Sequence, residues 1–198
     1  GHLILTRNAE LANVRGLRNL RGVVLTGSVF IQNNLKLGSL DGLEGIVELG
    51  EYEGISLLIQ DNAVIASIDG LGGVSGVLPG ALVVMENPAL VSFDGLEGVT
   101  GVAGYQQNGI SIYIRGNDAL RSIAALDNVQ GDLPGTLVVW NNPALESPQG
   151  LLGIRAAGTE VAWQGQAVYI LGNPALCATP DEVSALRTMC ETSAGYGV

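Results

Sequence analysis

Apolar residues recur at fixed distances from an asparagine, in stretches such as LVVMENPALVSFDGLEGV (82–99) and LVVWNNPALESPQGLLGI (137–154). A looser copy, LLIQDNAVIASIDGLGGV, occupies 57–74. Alignment on the asparagine gives seven copies, separated by 26, 28, 25, 30, 25 and 31 residues: Asn8, Asn34, Asn62, Asn87, Asn117, Asn142 and Asn173. A period of this length is typical of a solenoid, a propeller or another array of repeats.

The positions three and five before each asparagine are aliphatic in every copy, as Leu82 and Val84 are. This two-residue spacing predicts a short strand with one face turned inward. More aliphatic residues follow the asparagine, as Leu90 and Leu96 do. Each unit has room for one coil of β-solenoid, and stacked coils would align these side chains in ladders about 4.8 Å apart. The pattern therefore predicts an all-β protein, a parallel β-solenoid of 6–7 coils of 25–31 residues over 1–176.

We interpret the repeated asparagine as a structural residue at the corner after each strand. An inward amide can satisfy backbone groups at such a corner, and Pro88, Pro143 or Pro174 follows in three copies. The Asp-Gly pairs indicate turns in the same way. Their stacked carboxylates offer an alternative calcium site, but Ala124 and Gln149 interrupt the column, so we expect no metal.

The charge limits the classes of partner. The net charge is −10 and the pI is about 4.3, which argues against nucleic acid or an anionic membrane as a partner. Hydrophobic residues make up 47% of the chain, yet no apolar run approaches the roughly 20 residues that span a bilayer. We therefore expect a folded domain that binds no nucleic acid and does not insert into a membrane.

The motifs of common catalytic sites are missing from the chain. His2 is the only histidine, and the sequence has no G-x-S-x-G, H-E-x-x-H or Walker pattern. Polysaccharide cleavage by clustered carboxylates is an alternative, but the chain has only nine basic residues, and four of them (Arg7, Arg15, Arg18 and Arg21) lie in the first coil, away from any acidic cluster. The sequence predicts that the protein is not an enzyme and needs no cofactor.

Two outward columns of each predicted strand are unusually apolar and aromatic. They lie two and four residues before the asparagine, and the residues expected to contact a partner are Phe30, Leu58, Met85, Tyr113, Arg115, Trp140 and Tyr169. A large exposed apolar patch is uncommon on a monomer and favours a binding surface. The alternative is that another part of the full-length protein covers this sheet.

Longer coils alternate with shorter ones because they carry the inserts GEYEG (50–54), GYQQNG (104–109) and GTEVAWQGQ (158–166). Each insert has one aromatic residue, and the candidate glycan-binding residues are Tyr52, Tyr105, Gln106 and Trp163. On alternate coils they should project from one edge about 10 Å apart. The alternative is that each aromatic ring folds back over a neighbouring coil.

The pattern L-x-I-x-x-N-p-x-L-x-s-l-d-G-L-x-x-I, from about residue 3 to 176, resembles the receptor L-domain family. These are leucine-rich-repeat-like, right-handed β-helices of growth-factor receptors and of fungal and protist surface proteins. The resemblance implies a right-handed solenoid, a secreted or cell-surface location, and binding through the faces of the solenoid without catalysis.

The C-terminal segment 177–198 is predicted to cap the last coil, so that 1–198 forms one domain. Thr179 is a candidate N-cap, Pro180 follows it, and apolar residues continue at helical spacing, which predicts a short helix. Cys177 and Cys190 bracket this helix, and we predict that they form a disulfide, which would indicate an oxidising compartment.

Taken together, the sequence predicts an extracellular or cell-surface module that binds a protein partner, or assembles with its own copies, through the apolar sheet. The alternative is a carbohydrate-binding module that uses the aromatic inserts. Ice binding is disfavoured because the outward columns lack regular threonine arrays.

Overall fold

The computed structural model describes residues 1–104, 109–160 and 164–193. Within these ranges the chain forms strands at β1 (Leu3–Thr6), β2 (Val23–Val24), β3 (Val29–Gln32), β4 (Ile46–Glu48), β5 (Ile55–Gln60), β6 (Gly76–Leu78), β7 (Ala81–Met85), β8 (Val99–Val102), β9 (Ile110–Arg115), β10 (Gly131–Asp132), β11 (Thr136–Trp140), β12 (Ile154–Ala156) and β13 (Val168–Leu171), and one helix, α1 (Pro180–Thr192).

The strands build a parallel β-solenoid of about six turns that ends in the helix, which confirms the predicted fold class. Alternate strands form one parallel sheet in the order β1-β3-β5-β7-β9-β11-β13. We call it the main sheet. Its register pairs equivalent positions of successive repeats, as in Val29 with Leu57 and Ile59 with Val84. The aliphatic positions before each asparagine therefore stack into the predicted ladders.

The second side of the solenoid divides the coils into pairs. Its strands pair only as β2 with β4, β6 with β8, and β10 with β12 in the part of the chain that the structure describes. The first coil of each pair has a short 3-10 turn, at Arg15–Leu17, Asp69–Leu71 and Ala124–Leu126. The structural repeat is therefore two coils, which matches the alternation of shorter and longer units in the sequence.

The core is a stack of aliphatic side chains with a single fully buried aromatic ring, Phe93, among the described residues. Ile31, Ile59 and Val84 of the main sheet have no exposed surface. Complete burial of one such side chain stabilises the fold by about 1.5–3 kcal/mol, and a single coil could not provide it alone.

The asparagines form a buried ladder that links the coils. The Asn62 side-chain amide donates to the carbonyl of Ile31 in the previous coil (2.9 Å), to Gln60 in its own coil (3.0 Å) and to Asn87 Oδ1 in the next coil (3.1 Å). Asn87 Oδ1 also accepts the backbone N–H of Asn62 at 3.2 Å. One amide thus satisfies buried polar groups of three successive coils.

A left-handed backbone conformation precedes every ladder asparagine. The residues with this positive φ, between 52° and 72°, are Arg7, Asn33, Asp61, Glu86, Gly116, Asn141 and Gly172. This conformation turns the chain from the strand into the corner, and glycine, asparagine and aspartate adopt it at the lowest cost.

The C-terminal helix caps the end of the core as predicted. The Thr179 hydroxyl accepts from the Glu182 N–H (3.3 Å) and Glu182 Oε2 accepts from the Thr179 N–H (2.6 Å), which completes a capping box. Met189 is buried against the core, and the Ser193 hydroxyl accepts from the Ala157 N–H at 3.0 Å. Helix α1 packs against β12.

The predicted disulfide is wrong, because Cys177 and Cys190 are both free thiols. Cys177 precedes the helix, whereas Cys190 lies in its last turn. A helix rises about 1.5 Å per residue, so the ten residue steps from Pro180 to Cys190 span about 15 Å. Disulfide-bonded Cα atoms lie within about 7 Å of each other, so a straight helix keeps these two cysteines apart.

Candidate interaction surface

The main sheet arranges the predicted partner-binding residues in two columns on its outer face. Strand register places Phe30 beside Leu58, Met85 beside Arg115, and Trp140 next to Arg115 on the following strand. Adjacent strands lie about 4.8 Å apart, so neighbouring side chains in a column are in contact range. The sheet therefore brings together residues that are far apart in the sequence.

The outer face is partly enclosed rather than fully exposed. Ile4 and Leu171, at its two ends, are 55% and 54% exposed. Leu58 is only 8% exposed and Val138 is completely buried, so neither side chain offers contact area. The remaining predicted contact residues are half-buried: Phe30, Met85, Tyr113, Arg115, Trp140 and Tyr169. These half-buried side chains define the surface available to a partner.

An aromatic and basic cluster lies on the C-terminal half of this face. The rings of Trp140 and Tyr169 meet edge to face with centroids 5.8 Å apart. The Arg115 guanidinium lies over the Trp140 ring, 4.5 Å from its centroid, and Arg115 Nε is 3.6 Å from Glu86 Oε1. Cation–π and edge-to-face contacts each stabilise such a group by about 0.5–1.5 kcal/mol. We call Glu86, Arg115, Trp140 and Tyr169 the aromatic cluster.

The N-terminal half of the same face carries amides. Gln32 Nε2 donates to Gln60 Oε1 at 3.2 Å across β3 and β5, and Gln60 Nε2 donates to Asp61 Oδ2 at 2.9 Å. This half is therefore polar at its edge, and the main apolar and aromatic surface lies between β7 and β13.

The insert of the second coil folds back over the outer face. The Tyr52 ring lies 4.7 Å from the His2 ring and 6.2 Å from the Phe30 ring, although 44% of Tyr52 remains exposed. Its hydrogen bond to the Glu53 carboxylate, together with the negative charge of that group, raises the pKa of Tyr52. Tyr52 therefore covers part of the sheet instead of projecting freely.

The other three predicted glycan-binding residues, Tyr105, Gln106 and Trp163, lie outside the described residues. The structure therefore places Tyr52 against the main sheet. That the aromatic residues of the three inserts form a row along one edge stays a prediction.

Sequence reasoning missed Glu86 as a member of the cluster and His2 as a partner of Tyr52. The His2 Nδ1 accepts the Ser28 N–H at 3.2 Å, which fixes the imidazole next to Tyr52. The position of Glu86, one residue after Met85 in the outward column, was a signal that could have placed it at this edge.

No group of three or more His, Cys, Asp or Glu residues is suited to hold a metal ion in residues 1–104, 109–160 and 164–193. The same ranges contain no helix with the length and apolar character needed to cross a membrane. Burial raises the pKa of the Cys190 thiol, and the charge of Glu191 adds to this effect.

No family model, curated protein or solved structure matches this chain. The resemblance to receptor L domains therefore stays a prediction from the repeat pattern.

Proposed function

We propose that this chain is a non-catalytic interaction module of a secreted or cell-surface protein, and that it contacts a protein partner or its own copies through the outer face of the main sheet. The aromatic cluster is the observation that carries the proposal. Tryptophan, tyrosine and arginine are the residue types most enriched at the energetic centres of protein interfaces. Here they share one face and are preorganised by contacts with each other.

The preorganisation matters because it lowers the cost of binding. A free arginine or tryptophan side chain loses about 0.5–1.5 kcal/mol of conformational entropy when an interface immobilises it. Arg115 is already held between Trp140 and Glu86, so less entropy remains to be lost on contact. A partner surface that is apolar and carries a carboxylate would complement this arrangement.

The extracellular location in this proposal rests on the resemblance to receptor L domains alone. Because both cysteines are free, a disulfide gives it no support.

Light scattering over a concentration series tests the proposal with the partner that is always present, a second copy. The test compares the native chain with a Tyr113→Asp/Trp140→Asp variant, and uses Thr100→Asp as a matched control because Thr100 is exposed on β8, outside the main sheet. We expect the double variant to weaken association at least tenfold and the control to leave it unchanged. Equal association of all three folded chains would contradict a role for this face in self-assembly.

A carbohydrate-binding function is the second candidate, and the partial exposure of Tyr52 beside two glutamates favours it. An oligosaccharide panel would test it by tryptophan emission of the native chain and of Trp163→Phe and Tyr52→Ala, which change the candidate glycan-binding residues. Loss of the signal in these two variants, with retention in Tyr113→Asp/Trp140→Asp, would favour the inserts over the main sheet.

A further inference from the structure

A second patch on the outer face of the main sheet differs in chemistry from the aromatic cluster. It lies on β3 and β5, where the strand register pairs Phe30 with Leu58 and Gln32 with Gln60. Phe30 and both glutamines are half-buried, and the equivalent positions on β7, β9 and β11 hold no amide. An apolar floor therefore lies directly beside a pair of amides at this one place on the sheet.

The two amides are held in one orientation by a carboxylate. Asp61 Oδ2 accepts from Gln60 Nε2 at 2.9 Å, and an ionised carboxylate can only accept, so Gln60 turns its NH2 group toward Asp61. The Gln60 carbonyl oxygen then faces Gln32, whose Nε2 donates to it at 3.2 Å. We call Gln32, Gln60 and Asp61 the amide row. Because the row is ordered by its own contacts, a ligand loses little entropy in fixing it.

The amide row keeps hydrogen-bonding capacity that the fold does not use. An amide offers two N–H donors and a carbonyl oxygen with two lone pairs. Each glutamine uses one N–H in the row, which leaves one donor on each. Among the described residues, Gln32 Oε1 and Asp61 Oδ1 accept no hydrogen bond. The row therefore presents donors and acceptors side by side at half-buried residues.

A tight turn holds Tyr52 at one side of the apolar floor. The Tyr52 N–H donates to the Ile55 carbonyl at 3.0 Å, and the Ile55 N–H donates to the Tyr52 carbonyl at 3.1 Å. Glu53 and Gly54 between them have positive φ values of 51° and 78°. The Tyr52 ring is tilted by 60° to the Phe30 ring, with centroids 6.2 Å apart. Phe30 thus forms the floor of a shallow cleft, and Tyr52 forms one side of it.

The cleft has the size and chemistry to hold one sugar ring. Phe30 and Gln32 are two residues apart on a strand, about 6.6 Å, and β3 and β5 lie about 4.8 Å apart. A pyranose ring packed on Phe30 would therefore place the hydroxyls of its rim at the amide row. An amide with a free donor beside a free acceptor can bond to two neighbouring hydroxyls. An apolar side chain from a protein would leave these groups unsatisfied.

Charge restricts the sugars that fit this cleft. Asp61 belongs to the amide row, and Glu51 and Glu53 flank Tyr52 on the opposite side. The whole chain carries a net charge of −10. A glycan with uronate or sulfate groups would meet charges of its own sign, so a neutral sugar is favoured.

From these observations we propose that the cleft between Tyr52 and the amide row binds one ring of a neutral oligosaccharide with equatorial hydroxyls, such as a β-linked glucan. In such a ring the hydroxyls lie on the rim and the two faces carry C–H groups, which pack against aromatic rings. The proposal rests on the carbohydrate-binding function given above as the second candidate, and it locates the contact at β3 and β5. It does not involve the aromatic cluster.

Isothermal titration calorimetry with cellotetraose, a neutral β-linked glucan fragment, tests the proposal. Gln32→Met/Gln60→Met preserves side-chain length but removes the hydrogen bonds of both amides, so the affinity should fall by about tenfold or more. Gln130→Met is the matched control, because it makes the same change at an exposed residue outside the main sheet, and it should bind like the native chain. Tetragalacturonate, which is anionic, should bind about tenfold more weakly than cellotetraose or less.

Circular dichroism and thermal unfolding would verify the fold of each variant. Equal affinity of the native chain and Gln32→Met/Gln60→Met would overturn the proposal, and so would a native chain that binds no cellotetraose. If Trp163→Phe abolished binding while the double methionine variant retained it, the carbohydrate-binding function would hold and this site would be wrong. If no oligosaccharide bound at all, both would fail, and the protein-interaction proposal would still be tested by light scattering.

Discussion

A buried asparagine side chain does more in this solenoid than end a strand. Because the amides of Asn62, Asn87 and Asn142 bond to the previous, the same and the next coil, each of these asparagines fixes the register of three coils at once. Apolar ladders alone would tolerate small shifts between coils, whereas a buried amide is costly unless every partner is in place. The ladder therefore specifies the stacking that the aliphatic core stabilises.

Replacement of a central ladder residue should be strongly destabilising. Asn117→Ala removes the acceptor of the Asn87 N–H (3.1 Å) and the donor to the Val84 carbonyl (3.1 Å), all of them buried. We expect a loss of about 3 kcal/mol in urea unfolding. Asn8→Ala is the matched control, since Asn8 is exposed and, among the described residues, its side chain bonds only to Asn34, and it should cost less than about 1 kcal/mol. Equal losses would contradict the role of burial.

The left-handed position before each asparagine leads to a stabilising prediction. Glu86 adopts φ 55° although it is neither glycine nor asparagine. Glu86→Asn should relieve this strain and raise the free energy of unfolding by about 0.5 kcal/mol, because the half-exposed pair with Arg115 that it removes, at 3.6 Å, contributes little. Glu48→Asn, on an exposed strand position, is the control and should give no gain in the same unfolding experiment.

Sequence reasoning found the asparagines but not the strained position beside them. Five of the seven preceding residues are Asn, Asp or Gly, a composition that indicates a left-handed backbone. Arg7 and Glu86 obscure that signal, because neither residue type prefers this conformation. The ladder imposes it on them.

At the scale of the coil, a glycine corner sets how closely neighbouring coils approach. Gly95 has φ 104°, and a Cβ atom built there would lie 2.6 Å from the Ile68 carbonyl oxygen of the previous coil. Equivalent glycines with positive φ, Gly42 and Gly150, occupy the same corner in the other second coils of each pair.

Gly95→Ala should therefore destabilise the fold by at least about 2 kcal/mol, because it combines backbone strain with a clash against main-chain atoms. Gly38→Ala is the matched control, since nothing lies within 4 Å of its added Cβ and its φ is not positive. Thermal unfolding of both variants distinguishes them. A Gly95→Ala chain as stable as the native one would show that the corner can relax.

The cap helix should depend on pH through Glu182. Hydrogen bonds from the Thr179 backbone and from the Ser147 and Thr179 side chains lower the pKa of this exposed carboxyl group. Glu182 has a lower pKa in the folded state than in the unfolded state, so its ionised form stabilises the cap fully at pH values above the unfolded-state pKa. This stabilisation is lost as the pH falls through the folded-state pKa. We expect helical circular dichroism to decline as the pH falls from about 5 to about 3.

Glu182→Gln separates this effect from other carboxylates, because glutamine can keep the capping box but does not titrate. The variant should show a weaker pH dependence of helicity than the native chain. Identical pH profiles would mean that Glu182 does not control the cap.

Features that depend on residues adjacent in the sequence, such as a helix cap, could be predicted. A contact that depends on the distance between two side chains in the folded chain could not. Thr179 and Pro180 predicted the start of α1 correctly, because capping is local. The disulfide prediction was wrong because it took the two cysteines as neighbours across the predicted helix, whereas the 13-residue length of α1 keeps Cys177 and Cys190 apart.

For the whole molecule, the fold followed from the period of the repeats, but the accessibility of its outer face did not. The columns of Phe30, Tyr113 and Trp140 are correctly placed by a two-residue spacing. The burial of Leu58 and Val138, and the contact of Tyr52 with Phe30, depend on side chains that the two-residue spacing does not identify. Periodicity assigns a side chain to a face but does not determine what else lies on that face.

The emission of Trp140 tests directly whether the outer face of the main sheet is the interaction surface. The chain has two tryptophans, so a Trp163→Phe variant leaves Trp140, inside the aromatic cluster, as the sole reporter. Emission and light-scattering mass would be recorded on the same samples over a concentration series. If the outer face is the contact, a blue shift of the Trp140 emission should accompany the rise in mass. A rise in mass with unchanged emission would place the contact elsewhere and contradict the claim.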